Sequence, residues 1–150
     1  MKIVAENKKA LFDYEILDRI EAGIVLTGDE VKSLRGKQGS LKGSFAQFHQ
    51  GELMLLNANI PVYRFAYSKK EDETTRSRKL LLHKKELMRL LGEVSQRGIT
   101  LVPLKIYFNN KGLAKVDIGI ARHKKKADKK QKLKERDLDR ETMRELKNFK

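Results

Sequence analysis

Between positions 114 and 120 apolar and polar residues alternate without a break, with Ala114, Val116, Ile118 and Ile120 on one side and Lys115, Asp117 and Gly119 on the other. A period of two predicts a strand with one buried face. Residues 100–108 precede it across the Asn109-Asn110-Lys111-Gly112 turn. Residues 41–48 and 52–56 flank Gln50-Gly51 and read as a β-hairpin. Phe12, Tyr14 and Ile16 alternate imperfectly with Asp13, Glu15 and Leu17, and Ile60, Val62 and Tyr63 suggest a further short strand that Pro61 places at an edge or a bend. The stretch 20–35 changes period midway: Ile24 to Leu26 suits a buried strand, whereas Thr27, Glu30, Val31, Leu34 and Arg35 have helical spacing. Thr27 followed by Glu30 fits a capping box at the helix start, with Val31 and Leu34 inward and Lys32 and Arg35 on an outer face beside Glu21. A second helix is predicted over 84–93, with Leu87, Met88, Leu90 and Leu91 as its stripe, Val94 as an extension and Gly98 as its stop. Residues 1–11 read as a polar lead-in, a frayed terminus being the plain alternative. Residues 67–75 carry no apolar period and read as a mobile loop. Six or so short strands with intercalated helices predict a mainly β fold, a small closed or partly open barrel.

Composition sharpens the functional picture. The 150 residues, 39% of them hydrophobic, suffice for one core, and the 34 basic against 20 acidic residues leave a net charge of +14. A field of that size favours a polyanion. There is no membrane-length apolar run and no signal-like segment near Met1, so a cytoplasmic protein is expected. The absence of cysteine removes disulfides and thiolate metal sites.

The charge is unevenly placed. Residues 121–150 hold 13 basic and 6 acidic residues, so half of the net charge sits in the last fifth of the chain. The expected division is therefore a barrel over 1–121 and a basic tail over 122–150. The tail's few large apolar residues form no compact stripe, so it is expected to be disordered when free. Lys125, Lys129, Lys132, Arg136, Arg140, Arg144 and Lys147 nevertheless recur at spacings of three or four, with Asp137, Glu141 and Glu145 on another face. Like charges at that spacing weaken an isolated helix, so a helical tail implies a polyanionic partner. A membrane would require an apolar face where this one is acidic, so no membrane partner is expected.

No catalytic constellation emerges. His49, His83 and His123 are far apart, no paired-histidine metal motif occurs, and no phosphate-cradling glycine-lysine loop is present. Neither an enzyme nor a metal or cofactor site is expected; a nuclease built on scattered carboxylates such as Glu21 and Asp117 is the outlying alternative.

A set of ordered motifs carries a resemblance. Glu21-Ala22-Gly23-Ile24, Glu30-Val31-Lys32-Ser33-Leu34-Arg35, Gly51-Glu52-Leu53, Arg78-Lys79-Leu80-Leu81-Leu82-His83, Val102-Pro103-Leu104-Lys105-Ile106-Tyr107, Lys115-Val116 and the Lys-rich run at 124–130 together closely resemble small protein B, the SsrA-binding protein family of bacterial trans-translation. The resemblance implies an oligonucleotide-binding (OB-fold-like) barrel with two or three short helices. It also implies a non-enzymatic adaptor that binds the tRNA-like domain of transfer-messenger RNA (tmRNA) and brings it to stalled ribosomes, acting as a monomer. By position it makes Asn7, Lys8, Glu21, Leu81, His83 and Lys115 the RNA-binding face, with Lys32, Arg35, Arg78 and Lys79 nearby. In the tail it implicates Lys124, Lys125, Lys126, Asp128, Lys129, Lys130, Lys132, Arg136, Arg140 and Arg144 in contacts to ribosomal RNA, the tail becoming helical when bound. His123, Ala127 and Lys130 depart from the family's tail pattern, which has glycine, commonly an aromatic residue or histidine, and arginine there. The competing reading is a structural ribosomal protein embedded permanently in ribosomal RNA.

Overall fold

In the computed structural model, which describes residues 2–65 and 74–124, the alternating segment near residue 120 becomes the hub of a closed sheet. The elements run β1 (Lys2–Glu6), α1 (Lys8–Asp13), β2 (Tyr14–Ile24), α2 (Gly28–Arg35), β3 (Phe45–His49), β4 (Glu52–Leu56), β5 (Arg78–Leu81), α3 (Lys84–Val94), β6 (Ile99–Phe108) and β7 (Ala114–His123). Every strand pairing is antiparallel, in the order β6-β3-β4-β5-β2-β7, and β7 pairs again with β6 to close a barrel. β3 meets β6 only at Ala46 and Leu101, and β1 takes over the same edge of β6 farther along, from Lys105 to Phe108. Closure leaves β6 and β7 with partners on both sides, which removes the open edges a flat sheet would expose.

Two bulges explain where the apolar side chains go. In β6 the register slips between Pro103 and Lys105, and in β2 between Ile16 and Asp18. One extra residue reverses which face each later side chain takes. Leu101, Ile106 and Phe108 thus join Ile20, Ala22, Ile24, Val116, Ile118 and Ile120 in the barrel interior. Val102 and Leu104 instead form a small outer cluster with Ala10 and Ala121, against which Tyr14 and Ile16 pack. The face of 114–120 predicted to be polar is therefore largely covered: Asp117 and Gly119 are buried. Gly119 fits closely under Leu104, since a Cβ there would lie 3.1 Å from Leu104 Cδ1 and press on that side chain.

The local predictions hold where the pattern is local. The hairpin turns at Gln50-Gly51, both residues at positive φ. The Thr27–Glu30 capping box forms with both bonds, and Leu34 is fully buried with Val31 packed against the core. α3 keeps Leu90 inside with Leu87 and Val94 beside it, but leaves Met88 and Leu91 outside, so the stripe is narrower than predicted. Gly98 follows at φ +84°. Elsewhere the fold differs. The polar lead-in is β1, paired with β6, followed by α1, because backbone pairing and the outer cluster supply what the short segment lacks in apolar period. Residues 60–63 form no strand; the neighbouring pairing is a lone bridge between Ser40 and Asn59. The loop predicted at 67–75 lies outside the described residues except for Thr74 and Thr75. β7 continues past the compositional break at Arg122: Arg122 pairs with Glu15 and His123 with Tyr14, whose rings are 4.2 Å apart.

Candidate nucleic-acid interface

Cross-strand register assembles one groove from residues far apart in sequence. Gly23 on β2 pairs with Leu81 on β5 and, across its other edge, with Lys115 on β7. Directly opposed residues share a face. With only a hydrogen at Gly23, the sheet has a shallow floor between Leu81 and Lys115, and an added Cβ would come 3.3 Å from Leu81 Cβ. Glu21, Gly23, Leu81, Leu82, His83, Glu86 and Lys115 line the resulting groove of about 480 Å³. His83 sits at the start of α3, where its backbone N–H donates to the Glu86 carboxylate at 3.3 Å. Leu81 is 48% exposed, an apolar surface beside a cation, a carboxylate and an imidazole. A mixed patch of this kind suits looped RNA, with its accessible bases and sugars, better than a uniform duplex.

Two residues predicted for RNA binding are buried. Arg78 is completely buried: its guanidinium pairs with Glu30 at 2.7 Å and donates to the carbonyls of Ala58, Thr74 and Arg76. It cannot reach RNA without leaving the core. Burial pushes the Glu30 carboxyl up, but bonds from Arg76, the Thr27 N–H and Arg78 outweigh that and hold it below its ordinary value. Asn7 is also buried; its side-chain oxygen caps α1 at Ala10 N, and its amide donates to Pro103 O at 2.9 Å, on the β6 bulge. Lys79 remains exposed and pairs with Glu52 at 3.2 Å.

Three comparisons with known proteins bear on this arrangement. The family described as SmpB protein matches residues 4–148. The chain belongs to the SmpB family. An SsrA-binding protein of Thermosipho melanesiensis is 52% identical over 147 residues, covering 98% of this chain and 99% of that one. Another, of Brucella anthropi, is 50% identical over 143 residues, 95% of this chain and 90% of its own. A solved chain described as "tmRNA-SmpB: a journey to the center of the bacterial ribosome" is 56% identical, with a TM-score of 0.66 over 81% of this chain and 84% of that chain.

The other residues that the SmpB resemblance singles out fall on separate surfaces. Lys8 lines a cleft of about 340 Å³ with Lys9 and Lys42. Lys32 and Arg35 do not adjoin Glu21: Lys32 lies 5.5 Å from the Tyr63 ring centroid and Arg35 5.8 Å from that of Phe108. Phe108 belongs to the interior and Tyr107, which bonds Glu21, points the opposite way from β6, which separates the two sets. Lys124 is tied back to α1, its N–H donating to Asp13 O and its ammonium to Leu11 O. The remaining tail positions, from Lys125 through Arg144, lie outside the described residues. Among the described residues no cluster of three or more His, Asp or Glu is placed to hold a metal, and no helix is long and apolar enough to cross a membrane.

Residues not assigned to the RNA-binding face surround Glu21. Its carboxylate accepts from the Tyr107 hydroxyl. Lys105 sits 5.4 Å from the Tyr107 ring centroid, and Asp117, directly across from Glu21, pairs with Arg19 at 3.4 Å. Burial pushes the Asp117 carboxyl up against the pull of Arg19 and Lys105. The only sequence signal for this cluster is the period-two pattern on β6 and β7, which becomes spatial once their register is known.

Proposed function

We propose that this chain is a non-enzymatic RNA-binding adaptor of trans-translation, which holds the tRNA-like domain of tmRNA in the Glu21–Leu81–His83–Lys115 groove and brings it to stalled ribosomes. The observation that carries the reading is the convergence of those four residues, from β2, β5, the start of α3 and β7, on one surface around Gly23. Their chemistry divides the work. Lys115 meets phosphate, Leu81 and His83 offer surface for a base or sugar, and Glu21 accepts from a donor on the RNA. The names of the SsrA-binding relatives and of the tmRNA-SmpB structure support the same partner. Lys8 and the Lys32–Arg35 pair supply secondary phosphate contacts, whereas Arg78 and Asn7 hold the scaffold. The tail from Lys125 onward contacts ribosomal RNA, with Lys124 as its anchor on the barrel. The test is to sequence RNA that co-purifies with the tagged chain. tmRNA should dominate, at less than one copy per ribosome; ribosomal RNA alone, at one copy of protein per ribosome through high-salt washing, would overturn the reading.

A further inference from the structure

Glu21 is an exposed carboxylate on a strongly basic protein, with Lys105, Lys115 and Arg19 on the same outer face of the sheet. None of the ion pairs among the described residues involves it; its partner is the neutral hydroxyl of Tyr107. Tyr107 itself is only 5% exposed, lies between Ile3 on β1 and Lys115 on β7, and carries the Lys105 ammonium near its ring. The donor is therefore fixed by the sheet, while the acceptor stands at the groove rim. A free glutamate side chain has several rotamers to lose on binding. Held at Oε2 by the phenol, this one lines the groove with Oε1 left to accept.

We propose that Tyr107 is a positioning residue for RNA recognition: it aims the Glu21 carboxylate at a hydrogen-bond donor on the bound RNA, a nucleobase N–H or a ribose hydroxyl. The proposal rests on the groove being the RNA site. A carboxylate repels phosphate and accepts only from donors, so its useful contact in such a site is with a base edge or a 2′-hydroxyl. Pairing with a neutral phenol suits that task better than pairing with lysine, which would hold the carboxylate in competition with the RNA. Burial, and then the bond to Glu21, push the Tyr107 phenol well above its ordinary range, so it remains a donor at every working pH.

The test is a double-mutant cycle on the full chain, using an isolated transcript of the tRNA-like domain. Tyr107→Phe keeps the ring and removes the donor; affinity should fall about tenfold, the scale of one charge-assisted hydrogen bond, with the salt slope unchanged because no phosphate contact is lost. Glu21→Ala should fall by at least as much, and the double variant should bind no more weakly than Glu21→Ala alone. Placing 4-aminophenylalanine at 107 restores a donor and should return binding to within about twofold of wild type. This rescue also controls for a Tyr107→Phe variant that folds poorly. Wild-type affinity in Tyr107→Phe beside a weakened Glu21→Ala, losses that multiply in the double variant, or a folded aminophenylalanine protein that binds no better than Tyr107→Phe would each overturn the positioning role alone. Wild-type affinity in Glu21→Ala would overturn the groove reading and this proposal with it.

Discussion

Glu30 and Glu21 are both carboxylates on a basic barrel, and their surroundings give them different tasks. Glu30 closes the capping box of α2 and neutralises the buried Arg78 guanidinium, with Arg76 on its other side. Removing one partner of a buried pair strands the other in a low-dielectric site. Glu30→Gln should therefore lower unfolding free energy by about 3 kcal/mol, read from denaturant midpoints, while the folded fraction still binds RNA. The sign with pH follows from the depressed carboxyl. Because its folded value lies below the ordinary 4.5, the contribution is complete above that pH and is lost as pH falls through the folded value. Wild type should thus lose stability more steeply than Glu30→Gln as pH falls below about 4.5; parallel curves would remove Glu30 from this role. Lys115 acts differently, since it faces the groove and is only partly covered. Lys115→Ala should reduce the slope of log affinity against log salt by about one contact. A large loss at unchanged slope would mean that Lys115 reads a base or a sugar.

Among elements, α1 was the hardest to foresee and has the most consequence for the residues assigned to RNA. Six residues carry too little helical period to read, and a helix so short forms only where tertiary packing supports it. Its support is Ala10 against Leu104 and Ala121, together with the Asn7 amide on Pro103 O. Asn7→Ala should cost about 2 kcal/mol, one helix cap and one buried side-chain bond. Its effect on RNA affinity should disappear once binding is corrected for the folded fraction; a persistent loss would return Asn7 to the interface. The hairpin at 50–51, the capping box and α3 were legible because each depends on residues within a few positions. β1 was not, because its partner is about a hundred positions away on β6. The resemblance also points to Arg78, and only the fold brings Glu30 and three carbonyls around it. Glu21, Leu81, His83 and Lys115 came from family resemblance, while Tyr107 needed the register of three strands.

For the whole molecule, the charge is divided between a barrel with discrete basic clefts and a C-terminal segment whose residues 121–150 hold half of the net +14. β7 runs past the compositional break, as far as His123. A cut after Ile120 would remove the fully buried Ala121, the Arg122–Glu15 pair and the His123–Tyr14 contact. A cut after Lys124 keeps them. That truncation should leave a folded barrel that binds the isolated tRNA-like RNA within about threefold of the full chain, yet fails to support trans-translation on stalled ribosomes. Normal trans-translation by the truncated protein would remove the tail from the mechanism. In the proposed function the groove around Glu21 recognises RNA by chemistry beyond charge. Its most direct test is the affinity of Glu21→Ala for the tRNA-like domain. Electrostatics alone predicts tighter binding, since a negative charge is removed; the groove reading predicts at least tenfold weaker binding in a fully folded protein, and an affinity that rises or stays unchanged would contradict it.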